Sequence, residues 1–371
     1  MIVDLAPVPY VLRLREPVVT ARGAWQERRG FWVVLLDEQG GHGIGEVAPL
    51  PGFGTETEEE AAAALDRLRG ERRADPHPQK IEKTLESWDV TRERTPALCA
   101  GLELALLDWA GRCAGLPIAE ILATAPCREV PVNALLASGD PGALASAAAA
   151  AIAAGYGTLK VKVGGRAIEE DVRRLEAVRR AAGGAVSARL RADANGSWSV
   201  DEARAACHRL AGLDLEYIED PVATAEDLDA LRAGWAGGQP PVPIAADALA
   251  STPGRARALL RSHAIDVLVL KPAVLGGIRL AERLALDAIA AGLRVVVTSA
   301  LDSAVGTAGA LHLACALPPS SDTERPVAHG LATAGLFEEM PAEGLPAPAD
   351  GRMRLPDGAG HGVRLPFAFP W

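Results

Sequence analysis

The chain has 371 residues, 49% hydrophobic and 23% charged, which is ordinary globular usage and excludes a largely disordered protein. The formal net charge is −10, which argues against a nucleic-acid partner. No apolar run approaches the roughly 18 residues of a membrane span, and the start, MIVDLAPVPY, has an acid where a secretion signal has basic residues. A cytoplasmic protein with neither a membrane nor a nucleic-acid partner is expected.

In chain order, residues 8–14, 31–37 and 43–48 read as antiparallel strands, with Gln39-Gly40-Gly41 turning between the last two. The glycines of GGHGIG therefore belong to strands and a turn, not to a nucleotide loop. Thr55 followed by Glu58, Glu59 and Glu60 marks a helix start. Residues 96–114 carry apolar side chains at helical spacing and stop at Gly115-Leu116-Pro117.

From about residue 130 the pattern changes to short apolar strands alternating with helices. The strands are expected at 130–135, 158–163, 188–193, 217–219, 244–247, 267–270, 295–299 and 327–331, with helices such as 171–182, 200–211 and 280–291 between them. Eight strands with intervening helices predict an α/β fold, a (β/α) TIM-type barrel. The boundaries expected are an α+β capping domain at 1–125, the barrel at 126–337, and a Pro- and Gly-rich segment at 338–371 that returns to the cap.

The five cysteines, Cys99, Cys113, Cys127, Cys207 and Cys315, are widely spaced and form no CxxC, so they indicate neither a disulfide framework nor a zinc site. Lysine is more informative. Only five of the 38 basic residues are lysines, and three of these, Lys160, Lys162 and Lys271, sit in apolar strands. Arg does not lose its proton in a protein, whereas Lys does when its surroundings lower its pKa. A lysine kept in an Arg-rich chain is a candidate for proton chemistry.

The strand ends are loaded with polar groups. Lys162, Asp193, Glu219, Asp247, Lys271 and Ser299 follow one another at intervals of 31, 26, 28, 24 and 28 residues, each one strand–helix unit. They converge at the C-terminal mouth of a barrel, where active sites of this fold form. Lys160 and Lys162 share one strand face. Asp193, Glu219 and Asp247, with no His or Cys among them, make an oxygen site suited to Mg²⁺, with Mn²⁺ able to substitute. Such a cation binds a substrate carboxylate and stabilises the enediolate left when the adjacent carbon loses a proton. A lysine beside it serves as the base. A metal-free network of buried salt bridges is the bland alternative, and stability alone seldom needs so much desolvated charge.

The set Lys160-Val161-Lys162, Asp193, Glu219, Asp247 and Lys271 resembles the enolase superfamily in its muconate-lactonising subgroup. The stretches 45–53 with Thr55-Glu56-Thr57, 136–141 and 299–306 are similar to the o-succinylbenzoate synthase family within it. The resemblance implies a lyase that dehydrates 2-succinyl-6-hydroxy-2,4-cyclohexadiene-1-carboxylate to o-succinylbenzoate in menaquinone or phylloquinone synthesis. It implies that Lys162 is the base and then the acid, that Lys271 holds the anionic intermediate by charge, and that Lys160 keeps Lys162 deprotonated. The small-molecule carboxylate substrate is expected to meet Ser299, the backbone at Gly330, an apolar wall at Leu136, and one of Arg22, Arg28 and Arg29 in a lid loop. Arg191 and Asn195 are expected behind the metal ligands, and Asp220 serves as loop support or as a ligand. One departure is Asp247-Ala248-Leu249 where the family has Asp-Glu-Ser, which removes an acidic neighbour from the third ligand. Two competing functions are an N-succinyl or other N-acyl amino acid racemase, using Lys162 and Lys271 as two bases, and a non-catalytic binding barrel.

Overall fold

The architecture comes from a computed structural model that describes residues 2–20, 23–69, 81–136, 139–183, 188–235, 237, 239–319 and 326–366. Arg22, Lys80, Ala137 and Ser138 lie outside the described residues.

An antiparallel sheet opens the chain: β1 (Ile2–Thr20), β2 (Gly23–Asp37) and β3 (His42–Val47), in the order β1-β2-β3. The first two strands form a far longer hairpin than the apolar stretches alone suggest. Their register runs from Ile2 opposite Asp37 to Thr20 opposite Gly23, with a shift between Arg13 and Val18. Helices α1 (Glu58–Leu68), α2 (Ile81–Ser87), α3 (Pro96–Ala114) and α4 (Ile118–Leu122) follow. The cap of α1 is Thr57, not Thr55: Thr57 accepts the Glu60 N–H, and the Glu60 carboxylate accepts the Thr57 N–H at 2.9 Å. Thr55 instead accepts the Leu50 N–H and holds the preceding turn.

Helix α3 is buried along nearly its whole length because β3 lies directly on it. Gly45 makes that possible: a Cβ there would come within 1.9 Å of the Gly101 carbonyl oxygen. The glycines of GGHGIG thus serve a turn and a close packing contact.

Strand β4 (Glu129–Pro131) leads into the barrel: β5 (Ala134–Leu136), α5 (Pro141–Ala153), β6 (Thr158–Lys162), α6 (Ile168–Ala181), β7 (Arg189–Asp193), α7 (Val200–Leu210), β8 (Leu215–Glu219), α8 (Ala225–Ala233), β9 (Ile244–Ala246), α9 (Pro253–Ser262), β10 (Val267–Leu270), α10 (Pro272–Leu275), α11 (Ile278–Ala290), β11 (Arg294–Val297) and α12 (Ala304–Ala316). The parallel sheet has the order β11-β10-β9-β8-β7-β6-β5. The eighth position, expected as a strand at 327–331, is reduced to two isolated bridges, Thr298 with Gly330 and Val132 with His329. Pro326 has no N–H to extend this ladder. Gly330 is required here, since a Cβ would lie 2.4 Å from the Thr298 hydroxyl.

The tail touches the first sheet and its helix. Leu14 bridges Phe337, Pro117 bridges Gly360, and β12 (Arg352–Arg354) pairs with β4. Asp108 on α3 accepts N–H groups from Ile44, Arg112 and His361 at 2.8–2.9 Å. At the other end of α3, Glu56 accepts the Ala97 and Leu98 N–H groups, a carboxylate at a positive helix end.

One carboxylate fastens the first sheet to the barrel mouth. Glu46, 4% exposed, accepts from Tyr10 O–H, Ser303 N–H and O–H, and Gly306 N–H, at 2.5 to 2.8 Å. Arg28 adds bonds to the carbonyls of Ala48, Pro49 and Leu301. These contacts fix the loop before α12 against β3.

Candidate active site

The sheet order places three carboxylates in a row with lysines at both ends. Asp193 ends β7, Glu219 ends β8 and Asp247 follows β9. Lys160 and Lys162 come from β6 on one flank, and Lys271 follows β10 on the other. Register keeps the row level: Lys162 lies opposite Asp193, and Asp193 opposite Glu219. Asp193 and Glu219 are each 1% exposed.

Lys160 Nζ donates to Glu219 Oε1 at 2.6 Å and lies 2.9 Å from Asp193 Oδ2. Lys162 Nζ donates to the same Asp193 oxygen at 3.0 Å and to Asn195 Oδ1 at 2.6 Å. Asn195, in the left-handed region at φ 49°, also gives its N–H to Asp193 Oδ1. Lys271 Nζ contacts both oxygens of Asp247 and stands 4.9 Å over the centre of the Phe53 ring.

Burial opposes the charge on Lys160, but Asp193 and Glu219 outweigh it and hold its ammonium well above the usual lysine range. Burial likewise pushes Asp193 up, and Lys160 and Lys162 overcome this to hold it well below the carboxylate range. Glu219 moves the other way. Burial pushes it up to about 8, Lys160 opposes, and Asp193, Asp247 and Asp220 add to the rise. Two lysines thus satisfy Asp193, while Glu219 carries excess negative potential.

The donor set fits a hard divalent cation: it is all oxygen and comes from adjacent strands. Glu219 Oε2 is buried and has no hydrogen-bond partner among the described residues. As arranged, no three His, Cys, Asp or Glu groups among the described residues meet closely enough to hold an ion, because the lysines draw the carboxylates toward themselves.

A cleft lies above this row, with the three carboxylates and all three lysines in its lining. Ser299 and Gly330 line it, and the Ser299 hydroxyl is 2.9 Å from that of Thr333. Leu136 does not line it. Leu135 pairs with Lys160, which faces inward, so alternation turns Leu135 into the cleft and Leu136 into the hydrophobic core. Arg28 is buried under its three carbonyl partners, and Arg29 pairs with Glu27 on the surface. Arg191 points inward, but its bonds run to Glu216 Oε2 at 2.6 Å and Asn133 Oδ1 at 3.2 Å, one layer below the carboxylates. His329 accepts the Val297 N–H, and burial pushes its imidazole down to about 3, so it is a neutral structural group.

Asp220 is a loop support. Its carboxylate accepts the N–H groups of Asp247 and Ala248 at 3.0 and 2.7 Å. Burial, with Asp247 adding, pushes it up to about 7. The acidic neighbour missing at position 248 is therefore present from the adjacent strand. Sequence reasoning passed over the roof of the cleft, Trp25 and Phe53, whose rings are 6.2 Å apart. The signal available was their type: in a chain only 4% aromatic, one such residue lies near the start of β2 and the other in the turn after β3. Tyr217 and Asn133, also in the lining, were available from strand alternation with Glu219 and Leu135.

The Enolase C-terminal domain-like family model matches residues 143–368, and the MenC N-terminal domain model matches residues 8–108. The chain is 45% identical over 202 residues to an o-succinylbenzoate synthase of Mycobacterium tuberculosis, covering 53% of this chain and 56% of that one. It is 44% identical over 188 residues to an o-succinylbenzoate synthase of Thermobifida fusca, covering 49% and 54%. The chain spans about half the length of the curated relatives it matches. Among solved structures, the N-succinyl Arg/Lys racemase from Bacillus cereus aligns with TM-score 0.85 at 25% identity, over 98% of this chain and 95% of that one. The muconate lactonizing enzyme from Pseudomonas putida aligns with TM-score 0.83 at 25% identity, over 98% and 97%. A dipeptide epimerase from Enterococcus faecalis, complexed with Mg and the dipeptide L-Leu-L-Tyr, aligns with TM-score 0.85 at 26% identity, over 98% and 99%. The parallel sheet with three carboxylates between lysines, and the family model that covers it, agree: the chain belongs to the enolase superfamily.

Proposed function

We propose that the protein is an o-succinylbenzoate synthase, which dehydrates 2-succinyl-6-hydroxy-2,4-cyclohexadiene-1-carboxylate. The observation that carries this is the row of Asp193, Glu219 and Asp247 with a lysine pair at one flank and a lone lysine at the other, under an aromatic roof. The MenC N-terminal match and the relatives of that name support the choice of reaction.

Asp193, Glu219 and Asp247 would hold Mg²⁺, for which Mn²⁺ substitutes; the cation, when bound, neutralises the second negative charge that a carboxylate gains as its neighbouring carbon is deprotonated. Lys162 takes the proton from that carbon and returns it to the departing hydroxyl on the same face. Asn195 orients Lys162 through its 2.6 Å hydrogen bond. Lys271 stays charged on the opposite flank and steadies the anion, while Lys160 balances Asp193 and Glu219. Phe53 and Trp25 exclude water from above, and Ser299 and Gly330 border the space for the succinyl tail. Aromatisation supplies driving force, so stabilising the intermediate charge is the protein's main task. In the same reading, residues 1–125 form the cap, 126–337 the catalytic barrel and 338–371 the returning tail, and the protein acts in the cytoplasm.

A second reading rests on both lysine flanks facing one cleft: a two-base racemase of N-acyl amino acids, the kind of activity named for the Bacillus cereus neighbour. Incubating the protein with Mg²⁺ and the cyclohexadiene substrate separates them. Loss of the diene absorbance is expected. Absence of dehydration, with α-proton exchange of N-succinyl amino acids in deuterated water, would overturn the synthase in favour of the racemase.

A further inference from the structure

Cys127 and Cys315 are far apart in sequence but adjacent in space. Cys127 lies between α4 and β4 and is exposed; Cys315 lies in the last turn of α12 and is 1% exposed. The Cys127 N–H donates to the Cys315 carbonyl at 2.9 Å, which sets the two residues side by side, and the Cys315 thiol is the largest influence on the Cys127 thiol. We propose that this pair is a reversible oxidation site, in which Cys127 meets a hydroperoxide and Cys315 resolves the product into a disulfide that braces the closing seam of the barrel.

The asymmetry of the pair suits the two roles. An oxidant reaches only the exposed sulfur, and the buried thiol has that sulfur as its nearest target. The Cys315 thiol, the Glu129 N–H and the Arg352 charge stabilise a Cys127 thiolate and, against burial, bring it down to about 7. Cys99 and Cys207 have the opposite setting: both are buried, and burial pushes their thiols up to about 12.

The chemistry balances with peroxide as the oxidant. The Cys127 thiolate attacks one peroxide oxygen, the O–O bond breaks, and the leaving hydroxide takes a proton to become water. Cys127 is then a sulfenic acid. The Cys315 sulfur attacks the Cys127 sulfur, the S–O bond breaks, and the departing hydroxide leaves with the Cys315 proton as a second water. Two thiols are oxidised to one disulfide, and one peroxide is reduced to two waters.

The location gives the bond a structural effect. Cys127 precedes β4 and Val132 in the chain, and Cys315 precedes His329 and Gly330. These two ends of the barrel meet at the Val132–His329 bridge, through bonds from the Asn133 N–H to the His329 carbonyl at 3.0 Å and from the His329 N–H to the Pro131 carbonyl at 2.9 Å. A covalent link between the two segments, closing a long loop, constrains the unfolded chain where isolated bridges complete the barrel.

The test uses the full chain carrying Cys113→Ser, which leaves Cys127 as the exposed thiol, treated with a small excess of hydrogen peroxide. Four results are expected: an intact mass lower by two hydrogens, a non-reduced peptide map joining 127 to 315, reversal by dithiothreitol, and a Tm higher by about 5 °C. Adding Cys315→Ser should stop the reaction at a Cys127 sulfenic acid that dimedone traps. Adding Cys127→Ser should leave Cys315 reduced. An unchanged mass would overturn the proposal. So would oxygen added at Cys127 with Cys315 still free, or dimers joined through Cys127.

Discussion

Two ionic clusters lie one layer apart on the parallel sheet, sharing β7 and β8, and they are built from different cations. At the mouth, Lys160, Lys162 and Lys271 meet Asp193, Glu219 and Asp247. Below them, Glu216 collects three arginines: Arg191 at 2.6 Å, Arg189 at 3.3 Å and Arg294 at 3.5 Å. Arg191 also stacks 4.8 Å over the Tyr217 ring. Burial pushes Glu216 up, and the three guanidinium groups more than offset it, so the lower cluster is locked in its charged form. The mouth is mixed, with Asp193 held low, Glu219 pushed up to about 8 and one Glu219 oxygen without a hydrogen-bond partner among the described residues. A chain that writes nearly all its positive charge as Arg has Lys at the mouth and Arg in the layer below, and of the two only Lys gives up its proton when its surroundings lower its pKa.

The largest effect that sharpens this contrast is metal removal. Chelation with EDTA should lower turnover of the cyclohexadiene substrate by about 10³-fold or more, and added Mg²⁺ should restore it. Glu219→Gln, which removes the carboxylate with the free oxygen, should weaken Mg²⁺ binding measured by calorimetry. Full turnover in chelated protein would end the metal reading of the mouth.

Next in size are the lysines. Lys162→Arg keeps charge but removes a usable neutral form, and should cost roughly 10²–10⁴ in kcat. Lys271→Arg keeps the cation beside Asp247 and Phe53 and should cost about tenfold or less. Steady-state rates with metal content checked make the comparison. Equal, large losses in both variants would indicate two bases and favour the racemase.

The lower cluster should respond in stability instead. Glu216→Gln leaves buried guanidinium charge uncompensated and should lower unfolding stability by about 3 kcal/mol in urea titrations. Its kcat in the folded protein should stay within about twofold of the parent, as the group is a layer away from the cleft. A large kcat loss at unchanged stability would erase the distinction between the two layers.

Much of the mouth was legible because its residues end apolar strands at one-unit spacing, and a strand end is set by local pattern. Asp193, Glu219, Asp247 and Lys271 needed only that periodicity. The errors lie where pairing decides. Leu136 faces the core because β5 aligns Leu135 with Lys160, a fact of register that one strand alone does not contain. Glu216 should point away from Glu219 and Tyr217 by strict alternation, yet a register shift between Leu190 and Arg191 brings it to Arg191. Arg28 resembles a lid residue until the carbonyls of Ala48, Pro49 and Leu301 are folded around it. The sequence alone leaves Asp220 between two roles, and the backbone that chooses between them arrives from the next strand. The eighth strand read as an ordinary apolar run, but Pro326 and Gly330 limit it to bridges.

The smallest prediction concerns protonation in the lower layer. His329 is 7% exposed, its Nδ1 accepts the Val297 N–H, and burial with the nearby Arg191 charge holds its pKa down to about 3, against an ordinary 6.5. In the unfolded chain the same imidazole takes a proton as pH falls through 6.5, while in the folded chain it does not until about 3. The unfolded state therefore binds more protons between these values, and stability contributed by this group is full above 6.5 and lost as pH falls. The loss is about 1.4 kcal/mol per pH unit once below 6.5. His312 and His361 are also buried with lowered pKa values and add to the slope of the parent protein. His329→Asn offers Val297 an amide oxygen but no titrating ring, so it should start less stable at pH 7 and lose stability more slowly down to pH 5. Urea titrations of both proteins across that range should differ in slope by about one proton. Parallel slopes would mean that His329 takes up its proton in the folded state over the same range as in the unfolded chain, and that the lower layer contains a group that titrates.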